Sequence, residues 1–583
     1  MRTKKFFKLF LSLRKFFPFL IIFFASLLAS RELFMAGFFT MHDDLQVGRL
    51  YEMNLCFKDG QFPCRWVPDM GYSYGYPLFN YYPPFPYYFG QIFLLFGLSF
   101  IDSVKALFIS GFFVSGILMF LFARKLWGNW GGLLSSILYL WAPYHSVDVY
   151  VRGAMNEFWA LSFLPGIYLG AYKIIETKKA NLAGIASLSL FSGLLLLSHN
   201  LMAFIFIPTV VVFSLLSIWL KKENLKEKTL TLFLASTWGV GLAAFFTLPV
   251  LAEKNFVHVE TMLMGYFNYL AHFVPIGQML FSRFWGYGSS SWLQNTGMPF
   301  QVGFPHWPLA ILAFLLLVLF FFKKKVAKEI FFLSLFFIGL FFLALFLIHP
   351  RSVFIWQALP LLAYLQFPWR FLTLVIFAVS VLGGGIVYLF KDERLKFSLS
   401  FFLIVVAISL NFSFFVPEKI IQITDQEKLF SEVGLRKLQT DAIFDYLPKK
   451  AKAPPSEPAP KEPTVEEGAA SFSDIVKGTD WYNFKVKAEK DSKIQLPIYD
   501  FPRWKVWMDG KPTKIANDNF LGLITIEVPS GNHEVRAKLT STPIRLLGNF
   551  LSLVSWLLLF FFIAKSLVFL KNGKKNFLAA NLK

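Results

Sequence analysis

Residues 14–44 read RKFFPFLIIFFASLLASRELFMAGFFTMHDD. A basic pair, Arg14-Lys15, precedes an uncharged apolar run from Phe16 to Ser30, and an acidic pair, Asp43-Asp44, follows the next apolar stretch. An apolar segment of roughly 20 residues crosses the hydrocarbon core as a helix, because a helix satisfies its own backbone polar groups. The pattern predicts a span over 16–39, with the lysine end and the acidic end on opposite sides of a bilayer. A cleaved leader is the competing reading of a basic start followed by Ala25 to Ala29. Its apolar core would be only about 7–15 residues, so the longer run favours a retained anchor.

Beyond this stretch the same composition recurs. Of the 583 residues, 56% are hydrophobic, 19% aromatic and only 16% charged, which excludes an ordinary soluble domain. Further spans are expected at 104–123, 131–144, 158–175, 182–197, 201–220, 230–251, 307–322, 330–348, 371–390, 397–415 and 546–570, twelve in all. An even count puts both termini on one side. The loops on that side carry Arg2, Lys4, Lys5, Lys8, Arg14 and Lys15, then Arg124-Lys125, Lys178-Lys179, Lys221-Lys222, Lys323 to Lys325, Lys391 with Arg394, and Lys571 with Lys574-Lys575. This is the lysine and arginine bias of cytoplasmic loops. The net charge of +21 is therefore mostly a topology signal. It forms no continuous patch, which argues against a nucleic-acid partner.

The opposite, outer side receives three long stretches, 40–103, 252–306 and 416–545. The first holds the only two cysteines, Cys56 and Cys64, which could form a disulfide in an oxidising compartment or stay unpaired. Its run from Pro86 to Phe100 is too short to span and reads as a helix lying at the interface. The second, rich in Met262, Met264, Tyr266, Phe267, Tyr269 and Trp285, suits either a flap over an amphiphilic ligand or an ordered interfacial loop. In the third, residues 448–468 are rich in Pro, Lys, Glu and Ala and read as a linker. Alternating segments with Asp509-Gly510 and Ser530-Gly531 turns follow and predict a small antiparallel β-sandwich. The expected division is a transmembrane domain over 1–415, a connector and linker over 416–470, the sandwich over 471–543, and a last helix with a basic tail over 544–583.

Charged residues at the outer ends of the spans are the candidates for chemistry. His42-Asp43-Asp44 places two carboxylates beside a histidine, an arrangement that a cation or proton must compensate, unless it is a solvated acidic turn. The run Arg152-Gly-Ala-Met-Asn-Glu157 brings a cation and an anion to the same surface, where they could also simply pair. His199-Asn200, His349-Pro-Arg351 and Gln366-Phe-Pro-Trp-Arg370 add further polar ends. Guanidinium groups suit phosphate, though arginine and tryptophan also anchor spans at interfaces.

Together these residues resemble the GT-C glycosyltransferases, membrane enzymes that take sugar from a polyprenyl-phosphate donor on the outer face. The acidic pair after the first span is one mark. Arg152 to Glu157 resembles the second acidic motif of oligosaccharyltransferase catalytic subunits, with Met155 where that pattern has aspartate. Asp43-Asp44, Gly75-Tyr-Pro77, Arg152 to Glu157, His199-Asn200 and Gln366 to Arg370 look closest to bacterial 6-pyruvoyl-tetrahydropterin synthase-related membrane proteins. Nothing in these residues suggests pterin chemistry. Phe501-Pro-Arg-Trp-Lys-Val-Trp-Met-Asp-Gly resembles the outer domain of YfhO-like membrane proteins.

The resemblance implies an α-helical polytopic, GT-C-like protein of a prokaryotic cytoplasmic membrane, with both termini inside. Its reaction would be inverting transfer of a sugar from a polyprenyl-phosphate carrier to a glycan, lipid or protein acceptor, at an active site on the outer face. Asp43, Asp44 and Glu157 are then the expected catalytic residues, and His42, Arg152, His199, Asn200, Arg351 and Arg370 the substrate-binding ones. A divalent cation, magnesium or manganese, on Asp43 and Glu157 is left open. Two other classes compete: a transporter or flippase for lipid-linked glycans, and a non-catalytic assembly protein of the cell envelope. Against transport, the two halves of the chain show no convincing internal repeat, and the polar residues gather at helix ends instead of the midplane.

Overall fold

A computed structural model describes residues 2–178, 181–291 and 297–580, with backbone alone within 2–15 and 566–580. Lys179, and the side chains of the basic residues before Phe16 and of Lys571, Lys574 and Lys575, lie outside that description. Most of the chain is helical, and among the described residues seven helices are long and apolar enough to cross a membrane, or eight when the bent pair Leu225–Leu242 and Ala244–Ala252 is counted as one. Phe16–Ala29, Leu182–Ser198 and His306–Phe322 are shorter apolar helices. Helix Phe100–Leu140 contains two of the expected segments, separated by a break at Gly128, whose φ of 74° leaves the helical region. The chain is a multi-pass membrane protein; each of the twelve expected segments overlaps a helix, but not all of those helices are long enough to be full spans.

Two of these helices form the centre. In Met155–Glu176 and in Pro368–Tyr388 the most apolar stretch is 94% buried within the protein, against 17% in Pro543–Lys565. A side-chain stripe of small residues makes this close packing possible, as it does in membrane bundles generally. A Cβ added at Gly384 would collide with the carbonyl oxygen of Gly131 and with Ser135. The peripheral helices expose Leu and Phe, as at Leu557, Phe560 and Phe561, which is where a lipid-facing surface belongs.

Helix directions separate two ends. Met155–Glu176 and Asn200–Lys221 start at the end that holds the acidic and arginine motifs, and finish among the lysine loops. There Lys125 pairs with Glu176 at 2.6 Å, and Lys221 with Glu329 at 2.6 Å. The basic and the motif-bearing loops thus occupy opposite ends of the bundle.

The first span is shorter than expected. Its helix ends at Ala29, where Ser30 bonds back to the Ser26 carbonyl oxygen. After a 3-10 turn at Arg31–Phe34 the chain extends into β1 (Phe38–Phe39), which pairs with β2 (Ile420–Ile421). In the first loop, Cys56 and Cys64 are joined as a disulfide, with Cα atoms 5.6 Å apart. Residues Phe85–Leu95 form a short helix whose far end exposes Ile92, Leu95 and Phe96.

The C-terminal region builds a six-stranded antiparallel sheet from β3 (Thr464–Lys477), β4 (Trp481–Tyr499), β5 (Trp504–Met508), β6 (Lys511–Thr513), β7 (Leu523–Val528) and β8 (Gly531–Leu539). The long β4 pairs with β8 through its first half and with β7 through its second, while β3 runs beside both halves. Period-two alternation is plain in β4, where Tyr482, Phe484, Val486 and Ala488 are buried and Lys485 and Lys487 exposed. The strand structure starts at Thr464, inside the stretch expected to be a linker. That stretch is also tied down by backbone bonds, from Lys449 to Phe256, Lys452 to Phe520 and Ala459 to Tyr72. A polar segment can be ordered when its backbone finds partners.

One buried ion pair fastens the sheet's exit to the helices. Glu253, 2% exposed, accepts from Arg545 Nε at 2.9 Å, Thr542 Oγ1 at 2.6 Å and Asn80 Nδ2 at 3.0 Å. Arg65 donates from the same loop as Asn80 to Asn549 at 2.8 Å. Breaking such a pair leaves an uncompensated buried charge, a loss of about 3–5 kcal/mol. Glu253→Ala is therefore expected to lower the thermal unfolding midpoint sharply in detergent, and more than the double variant Glu253→Leu, Arg545→Met.

Candidate functional site

The Glu157 carboxylate, 1% exposed, sits in the first turn of the central helix Met155–Glu176, where the helix dipole favours an anion. Its Oε2 accepts from Arg152 Nη2 at 2.9 Å and from Arg370 Nε at 3.3 Å, and its Oε1 accepts from the Tyr144 hydroxyl at 2.6 Å. Arg370 opens the other central helix and is held by the Leu365 carbonyl oxygen at 2.8 Å and by Gln366 Oε1 at 3.3 Å. Gln366 itself sits at φ 62°, a strained conformation for a residue with a side chain, and such strain concentrates at functional sites.

A widened π-turn at Val147–Val151 sets Arg152, and turns of this kind often mark functional positions. Arg152 Nη1 donates to Asp148 Oδ1 at 2.5 Å, and its guanidinium lies 4.5 Å from the Trp369 ring centroid. Burial, with the charge of Glu157, pushes the Asp148 carboxyl well above the usual carboxylate range. Its second oxygen has no hydrogen-bond partner.

The same turn stitches in the acidic motif. His42 N donates to the Val151 carbonyl oxygen at 3.0 Å and Asp43 N to that of Arg152 at 2.9 Å. Asp43 is then gripped by Arg49 Nη1 at 2.8 Å and by Gln46 Nε2 at 2.9 Å, both from the helix Gln46–Lys58. Asp44 turns the other way, to Lys428 at 2.6 Å and Lys437 at 3.3 Å. Those lysines come from two short helices, Asp425–Phe430 and Glu432–Thr440, in the connector.

These groups line a cavity of about 550 Å³. His42, Asp43, Asp44, Arg152, Glu157, His199, Asn200 and Arg370 all face it. Arg351 does not: it lies in the turn Pro350–Ser352 with its side chain exposed. Met262, Tyr266, Phe267 and Met298, from the second long loop, form an apolar wall. Among the described residues lining the cavity, three buried nitrogens have no partner, Trp369 Nε1, His199 Nδ1 and Arg49 Nε. Burial lowers the His199 imidazole to about 3, with Arg370 the next contributor, so His199 is neutral at ordinary pH.

Several residues of the site escaped sequence reasoning. Arg49, in the cavity wall, follows Asp43 by less than two helical turns, and Asp148, which holds Arg152 from behind the wall, stands four residues before it, both readable as local charge pairs. Asp445 gave no signal. It faces the cavity from the connector, and burial pushes its carboxyl up to about 6.

The donor set fits a divalent cation poorly. Both oxygens of Asp43 and of Glu157 are already engaged by arginine, glutamine or tyrosine. Among the described residues no three His, Cys, Asp or Glu side chains gather as a metal-holding group. A metal at Asp43 and Glu157 would have to displace guanidinium groups.

No protein-family model matches the chain. An uncharacterised protein of Lactococcus lactis subsp. cremoris is 26% identical over 314 residues, 52% of this chain and 48% of that protein. Among solved structures, the Archaeoglobus fulgidus oligosaccharyltransferase in its apo form matches 69% of this chain and 56% of its own, at 13% identity and a TM-score of 0.44. The archaeal oligosaccharyltransferase AglB from the same organism, in complex with an inhibitory peptide and a dolichol-phosphate, covers the same shares at 12% identity and a TM-score of 0.43. The chain spans about half the length of the proteins it matches.

The histidine makes stability depend on pH. Its folded value of about 3 lies below the ordinary 6.5, so its contribution is complete above about 6.5 and is lost as pH falls toward 3. His199→Gln is expected to flatten this part of the profile, seen as a shrinking difference between wild-type and variant unfolding midpoints below pH 6.5.

Proposed function

We propose that the chain is a GT-C-type glycosyltransferase that moves a sugar from a polyprenyl-phosphate carrier to an acceptor at the outer face of a prokaryotic cytoplasmic membrane. The observation that carries this reading is the joining of Asp43, Arg152 and Arg370 at one cavity with an apolar wall. The arrangement accounts for each need of the reaction. A lipid-phosphate donor requires cationic donors beside an apolar path, and arginine pairs offer parallel donors to phosphate oxygens. Sidedness follows from the opposite placement of the lysine loops.

In this reaction Asp43 accepts the proton of the acceptor nucleophile as that atom attacks the anomeric carbon. The bond from that carbon to the phosphate oxygen breaks on the far face, and its electron pair leaves with the phosphate, giving inversion. Arg370 and Arg152 stabilise the departing charge, with Glu157 holding the two guanidinium groups apart in fixed positions. Arg49 and Gln46 aim Asp43, and Trp369 Nε1 and His199 Nδ1 are free to bond a sugar or the acceptor. Bringing the substrates together in one orientation supplies much of the remaining rate.

The test is transfer from a radiolabelled polyprenyl-phosphate sugar in proteoliposomes. Asp43→Asn is expected to lose about 10²- to 10⁴-fold in rate, the range for a general base. Asp44→Asn, whose carboxylate is held by lysines, loses far less. Undiminished transfer in the double variant would remove the assignment. Arg370→Ala is expected to abolish transfer and Arg351→Ala to leave it intact.

A further inference from the structure

A second cavity, of about 230 Å³, opens where the β-sheet meets the first long loop. Its wall is assembled from three distant parts of the chain: Trp66 and Tyr74 from the loop, Gln439 and Lys461 from the connector, and Trp481 and Trp504 from the sheet. Trp66, Tyr74 and Trp504 are buried in that wall, and half-buried Trp481 offers an aromatic face beside amide, hydroxyl and ammonium groups. A sugar ring presents the matching surface, an apolar C–H face for stacking and a rim of hydroxyls for hydrogen bonds.

The wall is fixed in advance. Asp59 of the first loop accepts from Thr479 N and Oγ1 at 2.7 Å each, and from Trp481 Nε1 at 3.0 Å. That grip sets the Trp481 ring at the cleft while its N–H is already satisfied. Trp504, 5% exposed, keeps an indole N–H without a partner. Lys461 and Lys477 line the cleft, and among the described residues no acidic side chain does.

We propose that this cleft binds an oligosaccharide, an acidic one by preference. Its position gives the bound chain a role. Gln439 lines this cleft while Asp441 and Asp445 line the catalytic cavity, so one short segment of connector forms a wall of both. Tyr76 fastens that segment, its hydroxyl bonded to the Ala442 carbonyl oxygen at 2.5 Å and to Tyr446 N at 2.6 Å. The cleft docks a glycan acceptor beside the site that extends it. That role rests on the glycosyltransferase reading, whereas saccharide binding itself does not.

The experiment measures binding to the full chain in detergent by tryptophan fluorescence and saturation-transfer NMR. The probes are tetragalacturonate, as an acidic oligosaccharide, and chitotetraose and xylotetraose as neutral ones. Saturable binding of tetragalacturonate is expected, weakened about tenfold or more in Trp481→Ala and largely kept in Trp481→Phe. Lys461→Ala should weaken the acidic probe and leave the neutral ones unchanged. Arg370→Ala, defective in transfer, should bind normally. If no probe binds, or if Trp481→Ala with an unchanged unfolding midpoint binds as wild type, the cleft is not a saccharide site. Equal affinity for acidic and neutral probes overturns the charge preference. Binding without any transfer activity would overturn the reaction and leave the cleft standing.

Discussion

The arrangement turns on one buried carboxylate. Glu157 lies away from water and survives there as a charge only because Arg152 and Arg370 meet it from different segments. The consequence runs outward. Arg152 is posed by the π-turn, whose carbonyl oxygens also capture the backbone of His42 and Asp43. Arg370 is posed by the start of the second central helix. A single anion thus holds two cations at a set spacing, and neither could stay beside the other without it. The same pairing ties the acidic motif and both central helices to one point.

Burial within the bundle follows a division of labour. The helices that carry Glu157 and Arg370 are almost wholly enclosed, while Asn200–Lys221, which also begins at the cavity, is half enclosed and Pro543–Lys565 is mostly exposed. Enclosure costs the central pair its freedom of side-chain choice, which explains the glycine run at Gly383 to Gly385 and the close approach to Gly131. Peripheral helices carry no such constraint and are dressed in leucine and phenylalanine. Precision is concentrated in the elements that position Glu157 and Arg370.

The spans were legible because apolar runs in a chain this poor in charge have few other uses. The candidate residues were legible for a related reason, since a carboxylate or guanidinium at the end of an apolar run is costly and stands out. What the pattern could not do was sort them. Asp43 and Asp44 are chemically identical neighbours, and their difference comes from Arg49 on the following helix and Lys428 on a remote one. Arg351 and Arg370 look alike in sequence, yet one is exposed and the other buried against Glu157. Asp445 belongs to a stretch without periodicity, and its place in the cavity is set by the packing of the connector. The polar stretch before the sheet reads as a linker because composition reports what cannot make a core, and is silent on what backbone partners will order.

The bond between Lys428 and Asp44 joins residues 384 positions apart. Chains are made from the N-terminus onward, and early segments settle before late ones exist. Asp43 and Asp44 therefore reach their side of the membrane long before the connector that steadies one of them and supplies Asp445 beside the other. Until that connector arrives the cavity lacks a wall, and so does the cleft next to it. The nascent protein carries its acidic pair without a finished pocket, and competence comes as a late event of assembly, once the bundle is already in place.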